Sequence, residues 1–451
     1  MHAIAWHPRG FAAAVVVAIA ILSRSAVAQS VEVKADATVN VGYNQTTRST
    51  VEVDPDADKA DVPSSSTSSL FTEIRPAITL QSGSPRLTWR AGYLFSGNVS
   101  LAGGSPTFSN QANGALVAEM SQVTVLTMSA AVAQGGTSFQ LSQRAASEGT
   151  PEIRAPGNPN TITASLSEAI AWQASRHLQV QHSLLATVSA LQDDLGNETS
   201  AFTGTLSLER PFDRDVVGVQ LRAGLSRLSP LRTDQSPYTS LSNAVLGRWN
   251  HDFTVRWNGF ASAGIEQVFT DIGSRPLAFL PSGSAILRYA GEGAVGSLEF
   301  THGTATNLAV GAVSLTDLLT ARGIVTIDAF KSRALSFSAG FLHNEPIGEA
   351  AAAVAAATGN AVQGDGAFTT ALTRRVLASL RYSVAYQFGQ GGGVGPTLAH
   401  IFFLGVTGSV SNTNLVQRPF PKLGQRVDGG DSQGFPVVPQ EEPGQDTSHS
   451  P

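Results

Sequence analysis

The sequence predicts an all-β chain that crosses a membrane as an up-and-down antiparallel β-barrel of about 18 strands (16–18). Three observations predict it. Apolar and polar residues alternate with period two along most of the chain, short and long connections take turns, and charge is scarce although no apolar run is long enough to span a bilayer. Charged residues make up 14% of the chain, against roughly a quarter in ordinary soluble domains. Gly, Ala, Ser and Thr fill the difference. Alternating strands with one face in lipid produce that balance.

The N-terminus comes first. Arg9 and two histidines precede an apolar stretch from Phe11 to Leu22, and a polar patch then leads to Ala26-Val27-Ala28. This is the pattern of a secretory signal, with cleavage expected after Ala28, so 1–28 is assigned as signal peptide. An uncleaved anchor is the alternative, and would want about 20 apolar residues. The chain has no cysteine, which excludes a lipid-anchored cysteine, a disulfide framework and thiolate metal sites. A net charge of −5 is small for this length and points to no nucleic-acid partner.

Strands follow in order. From Val31 to Val41 every odd residue is apolar and every even one polar. Leu178–Ala190 and Phe202–Glu209 repeat the pattern. From Phe253 to Gly264, Phe253, Val255, Trp257, Ala261 and Ala263 share a face opposite Thr254, Arg256, Asn258 and Ser262. Leu335–Phe341 alternates likewise. From Ala378 the even set Leu380, Tyr382, Val384, Tyr386 and Phe388 opposes Ser379, Arg381, Ser383 and Gln387. Such alternation defines strands with two chemically different faces.

The connections carry the second regularity. Tight turns are predicted near Gly83-Ser84-Pro85, Ser121-Gln122, Ser175-Arg176-His177, Asp213-Arg214, Asn250-His251-Asp252, Gly291-Glu292-Gly293, Lys331-Ser332 and Arg374-Arg375. Longer polar loops fall around 46–69, 100–113, 145–160, 192–200, 231–240, 271–283, 309–315, 347–365 and 389–396. The barrel so outlined covers 29–411, with both ends and the short turns on the periplasmic side. A soluble β-sandwich or solenoid would also alternate but has no reason to sort its connections this way. Trp89, Trp172, Trp249 and Trp257 each lie within about five residues of a predicted short turn, as interface aromatics would.

Two regions depart from the pattern. The alanine run over 349–358, ended by Gly359, favours a short helix that caps the mouth or folds inward, unless it is a plain surface loop. Residues 412–451 are rich in Pro, Gly, Gln and Asp and read as a disordered periplasmic tail.

No catalytic constellation stands out: HExxH and Walker patterns are missing. The expectation is a non-enzyme without cofactor or metal. The acidic loop from Asp54 to Asp61 lacks the glycine and distal glutamate of an EF-hand and reads as a solvated loop.

The polar strand faces are more informative. If apolar faces meet lipid, the opposite parity lines the lumen with Arg75, Arg90, Arg222, Arg256, Arg288, Arg322 and Arg381, and with Glu73, Glu209, Glu266 and Glu299. These arginines admit two readings. One is a weakly cationic lining for anionic solutes or sugar hydroxyls. The other is a set of Arg–Glu pairs that brace the wall. Inner aromatics are sparse, Phe260 excepted.

With its signal peptide, absence of cysteine and Ala/Ser/Thr/Gly-rich wall, the layout resembles the outer-membrane barrels of myxobacterial exopolysaccharide-export systems. The resemblance covers most of the mature chain and rests on architecture, so it transfers no site residues. It implies a conduit for polysaccharide that works with a periplasmic export protein. One departure is that the last strand, near His400 to Ser409, precedes a long tail instead of ending the chain; Phe402-Phe403 is the candidate assembly signal. A general or solute-specific porin and a plugged structural or adhesive barrel are the alternatives.

Overall fold

A computed structural model of the chain describes residues 31–49, 64–101, 103, 106–136, 160–191, 197–230, 238–270, 277–307, 312–328, 333–347, 359–373, 375–388 and 396–411. The signal peptide, the acidic loop, the 331–332 turn, the 349–358 helix and the tail fall outside these residues.

The described residues form eighteen strands in one sheet. They are β1 (Glu32–Ser49), β2 (Ser64–Gly83), β3 (Leu87–Ser100), β4 (Thr107–Ser121), β5 (Thr124–Gly136) and β6 (Asn160–Ser175). Next come β7 (Leu178–Leu191), β8 (Asn197–Pro211), β9 (Asp215–Pro230), β10 (Tyr238–Asp252), β11 (Trp257–Thr270) and β12 (Leu277–Ala290). The last are β13 (Ala294–Asn307), β14 (Ala312–Asp328), β15 (Arg333–Pro346), β16 (Gly359–Thr373), β17 (Val376–Phe388) and β18 (Thr397–Ser411). Each strand pairs antiparallel with its sequence neighbour, and β18 closes on β1 from Lys34↔Ser411 to Arg48↔Thr397. The fold is a transmembrane up-and-down barrel with no free edge. Closure removes the sheet edges that a membrane would leave without water.

Followed perpendicular to the strands, the register climbs toward the long-loop rim and returns to β1 displaced by about 22 residues, which sets a strand tilt of roughly 40°. Thirteen residues, the length of the shortest strands β5 and β17, exceed the 9–11 or so that cross hydrocarbon at such a tilt. The surplus explains a difference from the expected loop limits. Ser64–Ser69 and Thr107–Asn113, read as loop, continue the ladder against Asn44–Ser49 and Gly92–Asn98. Polar strand ends standing above the bilayer lose the alternation signal but keep their hydrogen bonds.

A recurring device builds the short turns. The Oγ atoms of Ser84, Ser121 and Ser175 accept from the amides of Arg86, Val123 and His177, two residues on. Thr254 and Thr373 do the same for Arg256 and Arg375. Such hydroxyl turns let a chain reverse without left-handed residues. The same chemistry moves one turn from its expected place. Asn250, His251 and Asp252 stay in the ladder opposite Phe260, Gly259 and Asn258, and the reversal occurs at Phe253–Arg256, around Thr254.

The two faces differ as the alternation demands. Val217, Val219, Leu221 and Leu225 of β9 stand exposed on the outside, while Val216, Arg222 and Ser226 turn inward. The outer surface of every described strand except β5 carries such exposed apolar residues, a surface that only hydrocarbon stabilises.

Candidate functional site

The inner wall is the candidate site, and its parity follows from the register. Glu73, Glu209 and Glu266 all point inward and are 2%, 2% and 1% exposed. A buried carboxylate survives only when paired and hydrogen-bonded, and each of these is.

Glu266 of β11 receives the Arg222 guanidinium of β9 at 2.8 Å. The same arginine donates to Ser282 Oγ at 3.2 Å, and the Thr304 amide donates to Glu266 at 3.2 Å, joined by the Thr304 hydroxyl. The location has a cause. β12 and β13 pair only from Gly283↔His302 to Ala290↔Val295, so Leu277–Ser282 and Gly303–Asn307 have no ladder between them. Pro281 has no N–H to offer there. Glu266 therefore bridges a seam that backbone bonds leave open.

Glu209 of β8 pairs with Arg248 of β10 at 2.6 Å, and Arg248 also donates to Ser207 at 2.9 Å. The guanidinium lies 5.0 Å over the Phe260 ring, a cation–π contact. Glu73 of β2 accepts from Asn40 Nδ2 at 2.7 Å and from Ser96 Oγ at 2.9 Å, with Arg75 Nε 3.8 Å away. Arg381 of β17 reaches Asp365 of β16 at 3.3 Å, and Asp365 also accepts from Ser383, Gln363 and Ser338. Between these clusters the wall carries hydroxyl pairs such as Ser129–Ser167 and Ser262–Ser284.

The expected lining residues thus separate into groups. Arg75, Arg222 and Arg381 pair with carboxylates, and Glu73, Glu209 and Glu266 pair with arginines. Arg322 and Glu299 face inward on β14 and β13, with Arg288 on β12 diagonal to Glu299. Arg90 and Arg288 are exposed to the lumen near the short-turn rim and make no hydrogen bond or ion pair among the described residues. Arg256 is a correction. It is exposed in the Phe253–Arg256 turn and not on a strand face, because the apparent alternation of Phe253, Val255 and Trp257 runs through the turn. Its Val255 tip is 104% exposed.

Sequence reasoning missed Arg248, Asp365 and Asn40. Arg248 follows Ala244 and Leu246 on the inner side, so apolar inner neighbours hide its parity. Asp365 sits among glycines in a stretch read as loop. Two inner phenylalanines were also missed: Phe71 and Phe403 meet edge-to-face at 5.5 Å. Gly42 leaves the space for the Phe71 ring, which any Cβ there would strike.

On the outside, Trp89, Trp172, Trp249 and Trp257 all lie in the turn-proximal part of outward strand faces. Trp249 Nε1 donates to Asp215 at 2.8 Å, and Trp257 packs on Tyr289 at 4.9 Å. An indole with its ring in an apolar belt and its N–H on a carboxylate suits a membrane–water boundary.

No protein-family profile and no curated protein matches the chain. Among solved structures it is similar to the siderophore receptor PirA from Pseudomonas aeruginosa, with 9% identity and a TM-score of 0.43, over 83% of this chain and 80% of that one. It is similar to Pseudomonas aeruginosa OpdK with vanillate, at 9% identity and a TM-score of 0.39, over 84% of this chain and 98% of that one. The siderophore receptor PiuA from Acinetobacter baumannii gives 8% identity and a TM-score of 0.40, over 83% and 82%. The likeness is one of fold.

Proposed function

We propose that the protein sits in the bacterial outer membrane and acts as a water-filled conduit for hydrophilic solutes. The observation that carries the reading is the pairing of wall chemistry with closure. Eighteen strands enclose more space than their inward side chains fill, and that wall is built of hydroxyls, amides and neutralised ion pairs. Paired charges leave little net field, which favours neutral polyhydroxylated solutes over strongly charged ones. The bracing reading of the arginines is therefore preferred to the cationic lining, with Arg90 and Arg288 as the exceptions at one rim.

Passage of a growing polysaccharide, handed over by a periplasmic export protein, is the more specific form of this function. A lining of Ser, Thr, Asn and Gln, with few exposed aromatics, supports it as far as chemistry goes, because sugar hydroxyls exchange hydrogen bonds with such a wall. Planar-bilayer recording tests the conduit. Purified barrel should insert in discrete conductance steps, and a protein that inserts but never conducts is a plugged or adhesive barrel instead. Deleting 412–451 separates the two forms of the conduit: export requires loss of secretion with the barrel still assembled, and simple diffusion requires no change.

A further inference from the structure

Four outward-facing strand histidines are answered by a neighbouring strand. His251 meets Asp215 at 2.8 Å, His302 meets Asp317 at 2.6 Å, His343 meets Asn360 at 2.8 Å and His400 meets the Tyr382 hydroxyl at 2.7 Å. His182 is not answered. It stands on the outer face of β7 between the outward Val180 and Leu184, and makes no hydrogen bond or ion pair among the described residues. Glu168 is in the same position on β6, between the outward Leu166 and Ile170.

The register sets Glu168 opposite Leu184 and Ile170 opposite His182. The two polar groups are thus diagonal neighbours, about 7–8 Å apart. Their depth is set by geometry as well. The register climbs from β6 to β7, while His182 lies two residues nearer the turn than Leu184. At a tilt of roughly 40° these displacements nearly cancel, leaving the pair within about 2 Å of the same depth. Glu168 is four residues above Trp172, or about 10 Å along the membrane normal, well inside the hydrocarbon. A carboxyl group and an imidazole held side by side in lipid, unjoined to each other, are both costly.

We infer that the outer face of β6 and β7 is the contact between two copies of this chain. A two-fold axis along the membrane normal, passing between Glu168 and His182, places each glutamate against the histidine of the other copy. Such an isologous contact is self-complementary by construction. It turns two unpartnered groups into two carboxylate–imidazole bonds in a low-dielectric setting. Their equal depth is what that axis requires. Leu166, Ile170, Val180 and Leu184 would enclose the polar pairs, and the small Ala164, Ala186 and Gly204 around them let the walls approach. The inference rests on the membrane reading but not on an open lumen.

The absence of cysteine makes the test direct. Leu184→Cys, and separately Phe337→Cys on the outer face of β15, are introduced and oxidised in native outer membranes. Leu184→Cys should give a cross-linked dimer at least tenfold more abundant than Phe337→Cys. Glu168→Leu or His182→Leu in the Leu184→Cys background should cut that yield at least tenfold, and the exchange Glu168→His with His182→Glu should restore it. Folding is checked by β-sheet circular dichroism in detergent. Equal yields at both positions, a yield indifferent to Glu168, or a folded barrel that is monomeric in mild detergent overturns the inference. So does occupation of the face by a co-purifying lipid or a different protein. Failure of the membrane reading would look different: the chain would stay dissolved without detergent.

Discussion

Arg248 and Glu209 carry opposite charges on a wall where neither meets much water, at 7% and 2% exposure. Removing one partner strands the other. Arg248→Leu should destabilise the barrel by about 3–5 kcal/mol, and Arg248→Leu with Glu209→Gln should recover most of the loss. Urea unfolding of the barrel refolded in vesicles measures both. A single variant as stable as the parent would show that Glu209 has another source of stabilisation. Gly42 supports a second prediction. Gly42→Leu drives a side chain into the Phe71 ring, with an expected loss of about 1–3 kcal/mol from overpacking, read in the same unfolding assay. These residues also mark the limit of the sequence. Parity told which side Glu73, Glu209 and Glu266 occupy, because each sits among residues of clear alternation. Partner choice was not legible: Arg222 reaches Glu266 across an intervening strand and Glu73 is held by Asn40, and only the register brings those positions together.

The strands were legible wherever one face meets hydrocarbon and the other does not. Strand β9 shows the rule at its plainest, and it gives a paired prediction. Leu221→Arg places a guanidinium in lipid and should cost roughly 2–4 kcal/mol near the midplane, whereas Gln220→Arg, one residue away on the wet side, should cost little. Denaturant midpoints of the two refolded variants compare them, and equal losses would mean the faces have been assigned wrongly. Strand ends were less legible, because above the bilayer both faces are polar and only hydrogen bonding holds the ladder, as in Ser64–Ser69. The β10–β11 turn was misplaced because apolar turn residues extend the alternation past the strand. The β12–β13 seam has no sequence mark except Pro281. Its open ladder predicts that the Thr304 and Thr306 amides, turned toward β12, exchange hydrogen faster than those of Leu298 and Phe300, and that Thr304 exchanges faster still in Glu266→Ala. Hydrogen exchange read by mass spectrometry checks this, and uniform protection along β13 would contradict it.

For the whole molecule, closure and the paired wall combine into a conduit with weak charge preference. Cation and anion permeabilities from reversal potentials should lie within a few-fold of each other, since the four inner arginines described above as ion-paired are matched by carboxylates. Arg90→Glu with Arg288→Glu, at the rim where neither arginine forms an ion pair among the described residues, should shift the preference toward cations. An unchanged ratio would show that selectivity is set elsewhere. The most direct measurement follows from the lack of native cysteine. Single cysteines are placed at each position from Val217 to Ser226 and treated with a membrane-impermeant maleimide in intact membranes. Positions 218, 220, 222, 224 and 226 should label and 217, 219, 221, 223 and 225 should not. Labelling without that two-residue period would contradict a wall that is wet on one side and in hydrocarbon on the other.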